Sequence, residues 1–501
     1  MKKIILFAAA TAILAACTSD DLATDAQQQT AQDEAVTFDA YLLRTTTRAG
    51  ATGPVTTDSL KTATSASYLG HHYQAGFGVF AYYTDNFDYS PLYLPNFMYN
   101  EQVTWDGSAF TYPVTKYWPN EHGSEAASAD QDRVSFFAYL PYVEVDPATG
   151  MVINSSTSAP YDPSETEVQW GITGMKRNSL QGDPLIQYIA SFDQDESVDL
   201  CWGTVGADDV TWKTNSASQT VAKGYPWLNV RKPDGAGTAD AAKVKFAFQH
   251  ATAKLLVDVM TDNTTGWKST DDATETKVWI RSVRFTGMTQ KAALNLNNPK
   301  TVAANKARWI SYYGSTELEM GESVTVFDGR KDGSEGVDGA VAPNEAVLGI
   351  NPQLIQDDKQ LTAVPAWLAS GETGYRSGVP YSAVSGGDAY NAAAKLFCKG
   401  DDAADGPIFV IPTGERVDVE IVYDVETIDP KLPTFLSDGK THGSTIENRI
   451  KKENVFTKLE NGKGYTMHLI LGMKDVKVDA DVTVWDDPAS TADVELPKNT
   501  D

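Results

Sequence analysis

From Val36 the chain alternates: Val36, Phe38, Ala40 and Leu42 fall on one face, Thr37, Asp39 and Tyr41 on the other. A period of two marks an extended strand with one face buried. The same pattern returns at Phe77-Val79-Ala81-Tyr83, at Val134-Phe136-Ala138-Leu140 and at Val244-Phe246-Phe248. It continues at Leu255-Val257-Val259, Val278-Ile280 and Val283-Phe285, then at Val417 to Val425 and Tyr465 to Leu471. The last run, Val476 to Val484, turns Lys477, Asp479, Asp481 and Thr483 away from its apolar face. Strands with one polar face predict antiparallel sheets, so the expected fold class is all-β, built as sandwiches. A short helix is expected around Ser444 to Lys452. The Gly/Asp/Pro/Ser-rich segments 328–345 and 370–390 read as surface loops. Asn-Leu-Asn-Asn-Pro between Asn295 and Lys300 breaks the pattern, which predicts an N-terminal domain over 35–298 and a C-terminal one over 299–501.

Ahead of these strands, Met1-Lys2-Lys3 is basic and Ile4 to Ala16 is apolar. That stretch is too short to span a bilayer comfortably and suits a signal peptide over residues 1–16. It ends Leu14-Ala15-Ala16-Cys17, small residues before a cysteine, as a lipoprotein signal peptidase requires. Cys17 is therefore the expected lipidation site, with outer-membrane lipid as its partner. Two or three acyl chains hold a protein to a membrane stably, where one is marginal. Residues 17–34, rich in Asp, Gln, Thr and Ala, have too little apolar content to fold alone and read as a flexible tether. Thr18-Ser-Asp-Asp21 resembles the acidic surface-export signal of Bacteroidota lipoproteins.

Charge then narrows the function. In 501 residues, 67 acidic side chains outnumber 41 basic ones, a net charge of −26 that repels phosphate backbones, so nucleic acid is not an expected partner. Three cysteines exclude a disulfide scaffold. Cys201 and Cys398 sit in apolar settings, as buried thiols or as a pair. The six histidines show no metal-ligand spacing; His250, ending a strand, reads as structural and His71-His72 as a loop pair. The acidic stretch Asp328 to Asp338 lacks the alternating oxygens of a calcium loop. No metal and no cofactor is expected. Catalytic motifs are missing too: there is no His-Glu-x-x-His, Gly-x-Ser-x-Gly or P-loop. With so many carboxylates, a glycosidase pair cannot be inferred from spacing. The expectation is a protein that is not an enzyme.

Several stretches, in order, are similar to one family. They are Val36-Thr-Phe-Asp-Ala40 with Thr47-Arg-Ala49, Phe77-Gly-Val-Phe-Ala-Tyr-Tyr83, Phe97-Met-Tyr-Asn100, Trp105, Tyr117-Trp-Pro119 and Val134 to Pro141. Phe246-Ala-Phe-Gln-His-Ala-Thr-Ala-Lys254 follows, and Gly462-Lys-Gly-Tyr465 leads through Leu469-Ile-Leu471 to Val482-Thr-Val-Trp485. Together they resemble the fimbrillin (Mfa-like) subunits of type V pili in Bacteroidota. The resemblance implies two transthyretin-like antiparallel β-sandwich domains, lipid-anchored export, proteolytic trimming and assembly with other fimbrial subunits by strand donation. It places cleavage at Arg48–Ala49, with Arg44 the second choice, and makes Val36, Phe38, Ala40 and Leu42 the strand whose loss opens a groove. Val476 to Trp485, or the shorter Val494-Glu-Leu496, is the candidate donor. A surface fimbria subunit that adheres to a host or bacterial ligand is the leading reading. The alternative is a lipid-anchored glycan-binding protein, whose Trp side chains (105, 118, 170, 202, 212, 227, 267, 279, 309, 367 and 485) would stack on sugars.

Overall fold

A computed structural model describes residues 35–42, 73–85, 87–119, 132–153, 160, 170–191, 197–214, 218–233, 243–261, 276–298, 303–312, 322–328, 353–355, 394–395, 408–412, 416–428, 443–471, 476–484 and 494–495. Among the described residues every regular element is a strand, as the alternation predicts. The strands used below are, in chain order, β1 (Phe38–Leu42), β2 (Phe77–Thr84), β3 (Met98–Trp105), β4 (Phe110–Thr111), β5 (Arg133–Leu140) and β6 (Gly171–Met175). Next come β7 (Leu185–Ile189), β8 (Cys201–Val205), β9 (Trp227–Val230), β10 (Val244–His250), β11 (Ala253–Thr261) and β12 (Thr276–Met288). The rest are β13 (Lys291–Asn295), β14 (Arg308–Ile310), β15 (Val417–Ile428), β16 (Gly443–Phe456), β17 (Lys463–Leu471) and β18 (Val476–Val484).

In the first unit β8, β10, β1, β4, β3, β2 and β5 neighbour one another in that order. β5 then returns to β8 at Leu140↔Cys201 and Tyr139↔Trp202, which closes the sheet into a ring with β9 attached to β5. Closure removes the sheet edges that would otherwise present unpaired backbone. The alternating positions fill the interior: Phe77, Val79 and Ala81, then Val134, Phe136 and Ala138, then Val244, Phe246 and Phe248. The other face is not polar. Phe80, Tyr82, Phe137 and Tyr139 pack outward against Ile172, Met175, Ile186, Tyr188, Ala292 and Leu294 of an outer sheet ordered β14, β13, β7, β6. β2 and β5 are buried on both faces because that second layer covers them.

In the second unit one sheet carries β11, β17 and β18, the other β12, β15 and β16. One core cluster takes Leu255 and Val257 from β11, Val283 and Phe285 from β12, Val419 and Ile421 from β15, and Met467 and Leu469 from β17. The segment Ser444 to Lys452 is strand rather than helix. β16 pairs residue by residue with β15 from Gly443↔Ile428 to Lys452↔Val419, so cross-strand pairing overrides local helix propensity.

Two ladders run parallel, β1 with β10 and β11 with β17, where the sequence predicts antiparallel neighbours throughout. Alternation fixes which face is buried, not the direction of the partner. β11 and β12, residues 253–288, pack with 408–484, while β13 and β14 return to the first unit. The expected break at 298 thus falls inside a stretch whose strands alternate between units. The units meet through Asn461, whose Nδ2 donates to the carbonyls of His250 (3.3 Å) and Asn305 (3.1 Å). Gly462 N donates to Thr252 O (3.0 Å), and Phe409 N to Ser197 Oγ (2.7 Å).

Candidate functional site

The first strand occupies a seat in the ring between β10 and β4. Val36, Phe38, Ala40 and Leu42 are each at most 5% exposed, so all four inward positions are filled as the alternation predicts. Along β10 the ladder runs unbroken from Phe38↔Val244 to Leu42↔Phe248. On the other side β1 meets β4 at Phe38↔Phe110. Just before the strand, Val36 N donates to Lys116 O (2.8 Å), Tyr112 Oη donates to Val36 O (2.8 Å), and Ala35 bridges Tyr117. Burying three large apolar side chains and an alanine contributes roughly 5–9 kcal/mol before ordering costs. Thr37 Oγ1 is buried with no hydrogen-bond partner, which offsets part of that gain.

The polar face is also engaged. Tyr41 Oη donates to Asp209 Oδ2 (3.3 Å), and Lys245 of β10 lies 3.9 Å from the same carboxylate. Burial, then Asp209, push the Tyr41 hydroxyl up to about 12. Burial raises the Asp209 carboxyl as well, against the opposing pull of Lys245. Gly206 lets the hydroxyl come close: a Cβ on it would fall 1.9 Å from Tyr41 Oη, so any larger residue would have to displace the tyrosine. The sequence signals nothing about this clasp, because Asp209 lies 168 residues from Tyr41.

Cys17, Arg44, Arg48 and Ala49 lie outside the described residues, as do His71, His72, His122, His442, Cys398 and the acidic stretch beyond Asp328. Of the candidate donors, Val476 to Val484 forms β18, paired over nine residues with β17. Val494 and Glu495 add a two-residue strand on its outer edge, at Val482 and Asp481. Of the described Trp side chains, Trp118, Trp202, Trp212 and Trp227 are at most 2% exposed and Trp105, Trp170 and Trp309 are half-buried, so they make no exposed row for sugars.

His250 stands in a buried polar group. Its Nδ1 lies 2.8 Å from Asp199 Oδ2 and 3.5 Å from Cys201 Sγ, and Thr252 Oγ1 donates to Asp199 Oδ1 (3.1 Å). The ligand atoms of Asp199, Cys201 and His250 lie within 4.8 Å of one another, a grouping that could hold a metal ion. The contacts above already engage both Asp199 oxygens and Nδ1, so the group fits equally a network that braces the turn from β10 into β11.

No family model matches the chain. A curated relative, "Fimbrium subunit Fim1C" from Phocaeicola vulgatus, is 38% identical over 79 residues, 15% of this chain and 18% of that protein. The match therefore spans less than a fifth of the relative's length. Among solved structures, a fimbrial protein from Bacteroides vulgatus aligns over 90% of this chain and 99% of its own, at 17% identity and a TM-score of 0.47. A candidate cell adhesion protein from Bacteroides uniformis aligns over 90% and 99%, at 11% identity and a TM-score of 0.31. The sequence match supports the resemblance to fimbrial subunits over the stretch it covers, and the name it carries is structural rather than enzymatic.

Proposed function

We propose that the chain is a structural and adhesive subunit of a type V-like surface fimbria. It is exported as a lipoprotein anchored through Cys17, trimmed after Arg48, or less favourably after Arg44, and joined to other subunits by strand donation. The two packed units then correspond to the two transthyretin-like domains that the fimbrillin resemblance implies. The observation that carries this reading is the seat of β1. A five-residue strand fills the place in the ring between β10 and β4, its apolar face occupies a groove built by distant strands, and Arg44 and Arg48 follow it directly in sequence. Removing β1 uncovers Phe246, Phe248 and Phe110 and frees the backbone of β10, a template for β-augmentation by an incoming strand. The C-terminal strand Val494–Glu495, held by two residue pairs, is the donor that leaves its own chain at least cost. The mature protein is surface-exposed in the fimbrium and binds a host or bacterial surface ligand.

N-terminal sequencing of the protein sheared from cell surfaces tests this. A mature form beginning at Ala49 is expected, and one beginning upstream of Val36 contradicts it.

A further inference from the structure

Among the described residues, one group of three metal-ligating side chains converges: Asp199, Cys201 and His250, with ligand atoms within 4.8 Å of one another. Local structure puts them there. Cys201 of β8 faces His250 of β10 directly across the antiparallel ladder, so their side chains leave the sheet on one face. Asp199 and Thr252 stand two residues outside them, joined by the bond from Thr252 Oγ1 to Asp199 Oδ1 (3.1 Å). All four residues are at most 4% exposed. The second unit closes over the same turn, with Asn461 Nδ2 donating to His250 O and Gly462 N to Thr252 O.

Hydrogen bonding alone asks too much of His250 Nδ1. Asp199 Oδ2 lies 2.8 Å from it and Cys201 Sγ 3.5 Å. A ring nitrogen carries either one proton or one lone pair, so it serves one of these neighbours well and not both. A cation between the three atoms serves all of them. Tetrahedral zinc, with bonds of about 2.0 Å to N and O and about 2.3 Å to S, sets N and S neighbours about 3.5 Å apart. That is the spacing found here between Nδ1 and Sγ. N and O neighbours sit about 3.3 Å apart in the same geometry, so the Asp199 carboxylate has to withdraw by only about half an ångström. A thiol nucleophile does not fit the group. Thiol and carboxylate meet the same ring nitrogen, where a relay needs one at each, and no substrate reaches a Cys201 that is fully buried.

We propose that Asp199, Cys201 and His250 form a structural zinc site, with Thr252 Oγ1 the oxygen at hand for the fourth position. The mixed S, N and O donors suit a borderline transition metal, not calcium or magnesium, which take oxygen. Zn²⁺ with one thiolate and one carboxylate is neutral, so the ion adds no net charge beside the buried Lys254, whose ammonium Asp199 already favours. The ion ties β8 to the turn from β10 into β11, at the place where the second unit attaches. The site is independent of the fimbrial reading and does not require β1 to leave. Sequence spacing hides it, because 49 residues separate Cys201 from His250.

The test uses the full-length chain carrying Cys17→Ser, purified in mild detergent, reduced and stripped with a chelator. Only Cys201 and Cys398 then carry thiols. Titration with Co²⁺ should give a thiolate-to-cobalt charge-transfer band that saturates at a single equivalent and is bleached by Zn²⁺. Zn²⁺ should also raise the melting temperature of the stripped protein. Cys398→Ser should keep the band, whereas Cys201→Ser and Asp199→Asn should lose it and the thermal shift together. Asp199→Asn keeps the shape of the side chain and an acceptor for Thr252, so its far-ultraviolet circular dichroism should match the parent's. A folded parent chain that gives no band and no thermal shift overturns the proposal and leaves the group as a hydrogen-bonded brace. A band that survives Cys201→Ser and disappears with Cys398→Ser overturns it too.

Discussion

Phe38 stacks on Phe246 across the parallel ladder, ring centroids 5.9 Å apart and planes 21° from parallel, and meets Phe136 edge-on at 5.9 Å. One side chain from the first strand thereby joins two strands, β10 and β5, that lie about a hundred residues or more further along. Truncation by Phe38→Ala leaves a cavity among aromatic neighbours. It should cost about 3–5 kcal/mol of stability, read as a lowered midpoint in urea at unchanged slope.

Thr37 gives the opposite sign. Its buried hydroxyl has no partner, so Thr37→Val replaces an unsatisfied group by a methyl of similar shape. The variant should be more stable by about 1 kcal/mol. In the strand-exchange reading it should also release β1 more slowly, so hydrogen exchange of the β10 amides should slow together with assembly.

Asp209 supplies a pH dependence. Its folded carboxyl is raised by burial, so the stability it contributes is complete below the ordinary carboxylate range and is lost as pH rises through the folded value. Asp209→Asn keeps an acceptor for Tyr41 and cannot ionise. The variant should melt above the parent at pH 7, and the difference should close below about pH 4. A variant less stable than the parent at neutral pH would show that the pairing with Lys245 outweighs burial.

Cys17 decides the anchor. Cys17→Ser should leave an unlipidated, mislocalised precursor that takes up no radioactive palmitate. Labelling of that variant would place the lipid elsewhere.

Much of this was legible in the chain because burial repeats every second residue. Val36 to Leu42 names its own inward face, and Val134 to Leu140 does the same. What alternation cannot carry is the identity and direction of a partner. Nothing near Phe38 points to Val244, and nothing near Leu255 points to Tyr465, yet each pair lies in a parallel ladder. Phe80 and Tyr82 break the expected polar face because β7 and β13, far along the chain, cover them. Ser444 to Lys452 carries charges that suit a helix, but its pairing with β15 decides its state. The clasp of Tyr41 by Asp209 and the group around His250 were unreadable for the same reason, since each joins residues 49 or more positions apart.

The strand-exchange reading is tested most directly by trimming the purified precursor at Arg48 and following its assembly by light scattering, alone and with a peptide of residues 486–501. Loss of β1 should yield polymers, or a trimmed subunit that binds the peptide one to one and regains the melting temperature of the precursor. A trimmed protein that folds normally, stays monomeric and binds no C-terminal peptide would contradict strand exchange and leave glycan binding as the better reading.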